Sequence, residues 1–266
     1  MKKISAAALC LAFMLVLCAC TVTITTGSAP EPTPTPVIVY VTVEPSATPT
    51  PEPTTTPEPT PEPTPELTSE PTPEPAKIAV GDVITFGRYE QDNAKTNGAE
   101  EIEWIVLDAK SDSLTLISRY ILDRKCFDSD KWEKSPLRQW LNGDFYKEAF
   151  SAEEAARILT TTVTADWNPS SMIDPGKDTK DKVFLLSINE AAAYFDGGDV
   201  GCEPTEYALA QGVYCKFDIC GNWWLRTPGN CAGFMSYVTH DPEISTYGVA
   251  STSGGVGVRP VMRISP

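Results

Sequence analysis

The chain has 266 residues, 24 prolines and a formal net charge of −15. Sixteen of the prolines lie between Pro30 and Pro75, and residues 76–266 hold 19 basic against 28 acidic side chains, which leaves one globular unit that is only mildly acidic. No basic footprint points to nucleic acid, and a lone histidine, His240, excludes a multi-histidine metal centre.

Met1-Lys2-Lys3 is a short cationic start, followed by an apolar run from Ile4 to Ala19 that is short for a membrane span. The run ends Leu17-Cys18-Ala19-Cys20, which resembles a bacterial lipobox. That resemblance implies a signal peptide over 1–19, cleavage before Cys20 and a diacylglycerol on its thiol, so the partner at this end is the membrane. The mature chain is then expected outside the cytoplasm, lipid-anchored and exposed at the cell surface. Residues 20–75 are dominated by Thr, Pro and Glu and have almost nothing to bury, which predicts a disordered linker biased to polyproline II. At about 3.1 Å per residue, positions 45–75 alone reach on the order of 95 Å. The β-prone run Val37–Val43 is isolated by Pro36 and Pro45 and reads as an apolar interruption of the tether.

The globular domain spans 76–266. Short runs at Val83–Phe86, Ile102–Leu107 and Leu114–Ile117, separated by turn residues, predict three strands. Ser135-Pro136 opens a helix through Asn142, with Leu137, Trp140 and Leu141 on one face. Ser151–Glu154 and Ser187–Glu190 are capping boxes, the first opening a helix through Leu159 and the second one to Phe195. Val183–Ser187 reads as a buried strand and Thr205–Gln211 as a short helix. Beyond it the chain is punctuated by Gly, Ser and Cys, with strands expected at Trp223–Arg226, Ser236–Thr239 and Val256–Ile264. The class is α+β, with short antiparallel strands, three to four helices and a loop-rich last third.

Five cysteines remain after the leader and Cys20. In an oxidising compartment disulfides are expected among Cys202, Cys215, Cys220 and Cys231, with Cys126 as the odd thiol. Trp104 and Trp140 are expected in the core. Trp223 and Trp224 are adjacent and so point to opposite sides of a strand; Trp223 is assigned to the core and Trp224 to a surface where a ring stacks on a ligand. Arg226 and Arg259 are read as structural forks that satisfy several acceptors at once, with anion binding as the alternative. The stretch Gly229–Gly255 is rich in Gly and Ser and carries Phe234, Tyr237, His240 and Tyr247. Long loops on a rigid scaffold often carry binding, so these four residues and Trp224 make up the expected ligand face.

Several runs in order, IEWIVLD at 102–108, LTLISRYILD at 114–123, WEKSPLRQWLN at 132–142, VFLLSINEA at 183–191, WWLRTPG at 223–229 and GVRPVMRI at 257–264, resemble the bacterial domain of unknown function numbered 6273. The resemblance implies a C-type-lectin-like fold, akin to the sulfatase-modifying-factor group, with a ligand face built from the C-terminal region. Glu203-Pro204-Thr205, with Asn222 downstream, faintly resembles the calcium-and-sugar motif of C-type lectins, but threonine stands in the place of asparagine; no cofactor is expected, with calcium as a weak alternative. No set of residues converges on catalysis. Together these observations predict a surface lipoprotein displaying a non-catalytic binding domain for an extracellular glycan or protein. The alternatives are an enzyme of the sulfatase-modifying group and a purely structural module.

Overall fold

The structure, a computed structural model, describes residues 77–266 apart from Asp218. The leader at 1–19, Cys20 and the linker at 20–75 with its Val37–Val43 run lie outside the described residues.

Three strands open the domain as an antiparallel meander: β1 (Val83–Tyr89), β2 (Glu100–Ala109) and β3 (Leu114–Ser118). Their alternation puts Ile102, Trp104 and Val106 on the inner face, each essentially inaccessible to solvent. β1 is bulged between Thr85 and Arg88, where Gly87 takes φ +74°. After β4 (Asp123–Arg124), Ser135 caps α1 (Pro136–Trp140) by accepting from Leu137 N–H. The helix does not end at Asn142 as its sequence suggests. It widens by one residue per turn over Leu141–Phe145 and continues as α2 (Tyr146–Ala149). α3 (Ala152–Arg157) stops before Leu159, because Ile158 bridges to Ile264 and Leu159 N–H donates to Arg263.

β5 (Thr161–Val163) and β6 (Thr179–Asp181) form a small ribbon, and β7 (Val183–Phe184) leads to α4 (Ile188–Tyr194). Both capping boxes close as expected: Ser151 and Ser187 accept from the third helical N–H, and Glu154 and Glu190 accept from the cap N–H. Thr205 caps α5 (Glu206–Ala210). The last third is mostly strand: β8 (Cys215–Lys216), β9 (Cys220–Gly221), β10 (Trp223–Pro228), β11 (Phe234–Val238), β12 (Ile244–Ala250), β13 (Gly257–Val258) and β14 (Val261–Ile264).

Two five-stranded sheets result, ordered β1-β2-β3-β14-β7 and β12-β11-β10-β13-β4. The final motif does not form one strand. Pro260 cannot donate to a ladder, and at Arg259-Pro260 the chain leaves the second sheet for the first. The segment between β3 and β4 makes the opposite crossing, and the two are stitched by Ser118 N–H to Pro260 and Leu122 N–H to Val258. Strands in antiparallel sheets beside helices define an α+β domain. Among the described residues no helix is long and apolar enough to cross a membrane.

Candidate functional site

The residues assigned to structure divide into those with complete partners and one without. Trp104, Trp223 and Trp224 are fully enclosed, and each indole N–H finds a carbonyl: Phe86 at 2.7 Å, Val200 at 3.2 Å and Lys125 at 2.9 Å. Trp140 is half-buried, packed on Phe145 with Lys125 Nζ 5.0 Å above its ring. Arg226 is 3% exposed and its fork is saturated: both Nη atoms meet the Glu190 carboxylate, Nη1 also reaches Leu185 O at 2.7 Å, and Nε reaches Thr164 O at 3.2 Å. The cap glutamate of α4 thereby also neutralises the arginine of β10. In the same way Asp181, at the end of β6, accepts from Trp132 Nε1, Arg138 Nε and Thr179 Oγ1, all within 2.9 Å. Segments far apart in the sequence are therefore held to one another by charge-assisted hydrogen bonds.

Arg259 is equally buried, at 2% exposed, yet among the described residues Nε to Ser118 O at 3.0 Å is its one hydrogen bond. Its Nη1 is sealed from solvent without a partner, and among the described residues it forms no ion pair. The guanidinium sits 5.0 Å from the Trp223 ring centroid and 5.5 Å from that of Phe195.

The expected ligand face is only partly assembled. Trp224 is a correction: β10 is buried along its whole length, so both faces of the strand meet core, and Trp224 packs edge-on to Phe127 with no surface left for a ligand. Gly229–Gly255 is a second correction in part: the strand expected at Ser236–Thr239 forms as β11, but the rest is no long loop, because β12 pairs with it as a hairpin at the sheet edge. Its edge strand is short of large apolar residues and interrupted by Gly248 at φ +81°, which hides it from a period-two reading. Tyr237 lies opposite Trp224 across the β10–β11 ladder and is half-buried against the core. Phe234 and Tyr247 meet at 6.3 Å, with Tyr247 62% exposed. His240 turns away from them, edge-on to Tyr214 at 4.9 Å, with its backbone N–H held by Asn222 Oδ1.

The partner of His240 belongs to a feature the sequence reading passed over. The β8–β9 hairpin presents Tyr214, Phe217 and Ile219, all more than half exposed, and Lys216 Nζ bonds Asp241 in the β11–β12 turn. A run reading Tyr-Cys-Lys-Phe with a second apolar residue after one acid carries a hairpin signal.

Of the cysteines expected to pair, Cys202, Cys220 and Cys231 are thiols, which corrects that expectation for these three, and Cys126 is a thiol as expected. Cys215 faces Gly221 and Lys216 faces Cys220 across the β8–β9 ladder, so Cys215 and Cys220 point to opposite sides. Burial pushes the Cys202 thiol up to about 11, against a smaller downward pull from Arg259, and burial raises Cys220 too. The lectin-like calcium fragment does not stand free as a ligand set: Thr205 Oγ1 caps α5 and Asn222 Oδ1 is taken by His240. Among the described residues the acidic groups that cluster are Glu90, Asp92 and Glu100, elsewhere in the fold.

Clefts of several sizes open on this framework. One of about 490 Å³ lies between β1 and the α2–α3 turn, walled by Glu101, Glu148, Glu153 and Glu154 with Arg88. Its charges are largely engaged, Arg88 with Glu101 at 2.8 Å and Glu154 with Gly87 N–H at 2.8 Å. Two smaller ones adjoin the Cys202–Glu203 segment; the cavity of about 240 Å³ contains Arg259.

The architecture is thus that of a two-sheet α+β domain whose late tryptophan strand and closing Gly-x-Arg strand are locked together. The family model described as domain of unknown function (DUF6273) matches residues 111–266, and the chain belongs to that family. Neither the curated proteins nor the solved structures contain a match.

Proposed function

We propose that the chain is a surface lipoprotein, anchored through a lipid on Cys20, whose domain binds an extracellular glycan or protein without chemical turnover. The observation that carries this reading is the set of exposed rings on the hairpins of the last third: Tyr214, Phe217 and Tyr247, with His240 edge-on to Tyr214. Rigid aromatic side chains on short hairpins offer contact area at small entropic cost. A C-type-lectin-like ancestry belongs to the same proposal, since such a domain places its ligand face in the C-terminal region. The test is capture of glycans and of extracellular protein fractions by the purified chain. Tyr214→Ala and Tyr247→Ala are expected to reduce capture at least tenfold with unchanged melting temperature. Capture that survives both substitutions overturns this face.

A further inference from the structure

Arg226, on β10, and Arg259, at the crossing between β13 and β14, invite comparison because both are all but inaccessible. Arg226 has a carboxylate across its fork, whereas Arg259 has one carbonyl, two aromatic faces and an unpaired Nη1. A buried guanidinium is normally paired, and its planar fork matches a carboxylate. Arg259 lines a cavity of about 240 Å³, walled on its apolar side by Ile105, Tyr120 and Phe195. Roughly eight water volumes fit there, which is the space of a small polar molecule.

The rest of the lining narrows the chemistry. Arg119 lies at the wall but is already paired with Glu103 at 2.8 Å. Glu203 and Asp199, both exposed, also border the cavity. Two rim carboxylates disfavour a dianion such as phosphate or sulfate, and they accept hydrogen bonds from hydroxyl groups. We propose that this cavity binds a small hydroxylated monocarboxylate, its carboxylate on Arg259 and its hydroxyls toward Glu203 and Asp199. A free sugar acid and an acidic sugar at the end of a glycan share this chemistry. The site shares no named residue with the aromatic hairpins and stands whether or not they bind.

The test is calorimetric titration of the full chain at constant ionic strength with glucuronate, glucuronamide, glucose and sulfate. Glucuronate is expected to bind saturably and at least tenfold more tightly than its neutral amide, glucose or sulfate, and Arg259→Lys is expected to remove at least tenfold of that affinity. A glucuronate-terminated oligosaccharide then separates the two sources: tighter binding than the monosaccharide assigns a chain end, equal binding a free acid, and both outcomes support the site. Because Arg259→Lys can disturb folding, the unaltered chain supplies a second readout. Glucuronate is expected to raise the melting temperature of the unaltered chain in a dose-dependent way, and glucuronamide at the same concentration to leave it unchanged. Equal binding of glucuronate and glucuronamide overturns the proposal, as does an unchanged melting temperature at saturating glucuronate. Capture that survives both Tyr214→Ala and Tyr247→Ala, with glucuronate binding retained, overturns only the hairpin face.

Discussion

At the scale of single residues, buried polar groups decide more of this fold than its apolar side chains reveal. Tyr89 donates to Asp123 at 2.7 Å, and Asp123 is 1% exposed with Lys125 Nζ 3.6 Å away. Burial, and then the Asp123 charge, hold the Tyr89 phenol far above its ordinary value. The phenol stays protonated in the folded chain while the unfolded chain ionises near pH 10, so stability is complete below that pH and falls as pH rises through it. Tyr89→Phe is expected to cost about 1–3 kcal/mol at pH 7, because Asp123 loses a donor, and to flatten the alkaline decline. Urea unfolding at pH 7 and at pH 10.5 measures both. Arg226→Ala is expected to cost roughly 3 kcal/mol, at the lower end for a broken buried pair because Glu190 keeps partial contact with water. None of these partners could be read from spacing. Arg226 and Glu190 are 36 positions apart, Tyr89 and Asp123 34, and each pair meets only because sheets and helices bring them together.

At the scale of elements, the sequence was most legible where a local signal and a buried face agree. The three opening strands, the Ser135 cap and both capping boxes all have this character. It was least legible at edges and crossings. β12 packs few side chains, and the apolar run 256–264 carries no mark, apart from Pro260, of passing between two sheets. The β1 bulge shows how tightly one element is tied to the next. A Cβ on Gly87 meets the Phe150 ring at 2.6 Å and Ala149 O at 2.7 Å, at a φ that side chains rarely adopt. Gly87→Ala is expected to lower stability by more than about 2 kcal/mol, read as a reduced urea midpoint. Gly87 N–H and Ser151 N–H both donate to Glu154. Burial opposes ionisation of that carboxyl, but the two bonds hold it below its ordinary value. Its contribution is present above the unfolded value near pH 4.3 and fades as pH falls through the lower folded value. Glu154→Gln is expected to make acid unfolding less steep, followed by fluorescence of the buried tryptophans.

At the scale of the whole molecule, composition separates the proline-rich residues 30–75 from residues 76–266, and the family match falls inside the latter. The anchoring proposal predicts that a clickable palmitate labels the chain in cells and that Cys20→Ala abolishes the label; a labelled variant overturns it. The sequence by itself determined the α+β class, the caps and the family, because these depend on neighbours in the chain: periodicity, turn chemistry and short ordered motifs. The tertiary structure alone decided that neither Trp223 nor Trp224 is available, that Arg226 is paired, and that Cys215 and Cys220 point apart. Trp224 is lost to a ligand because β10 is covered on both sides, and Cys215 and Cys220 are kept apart by a ladder register. Arg226 and Arg259 look alike in the sequence, and only folding sets a carboxylate beside the first and a cavity beside the second. Burial and charge pairing are properties of three-dimensional neighbours, which this chain draws from positions tens of residues apart.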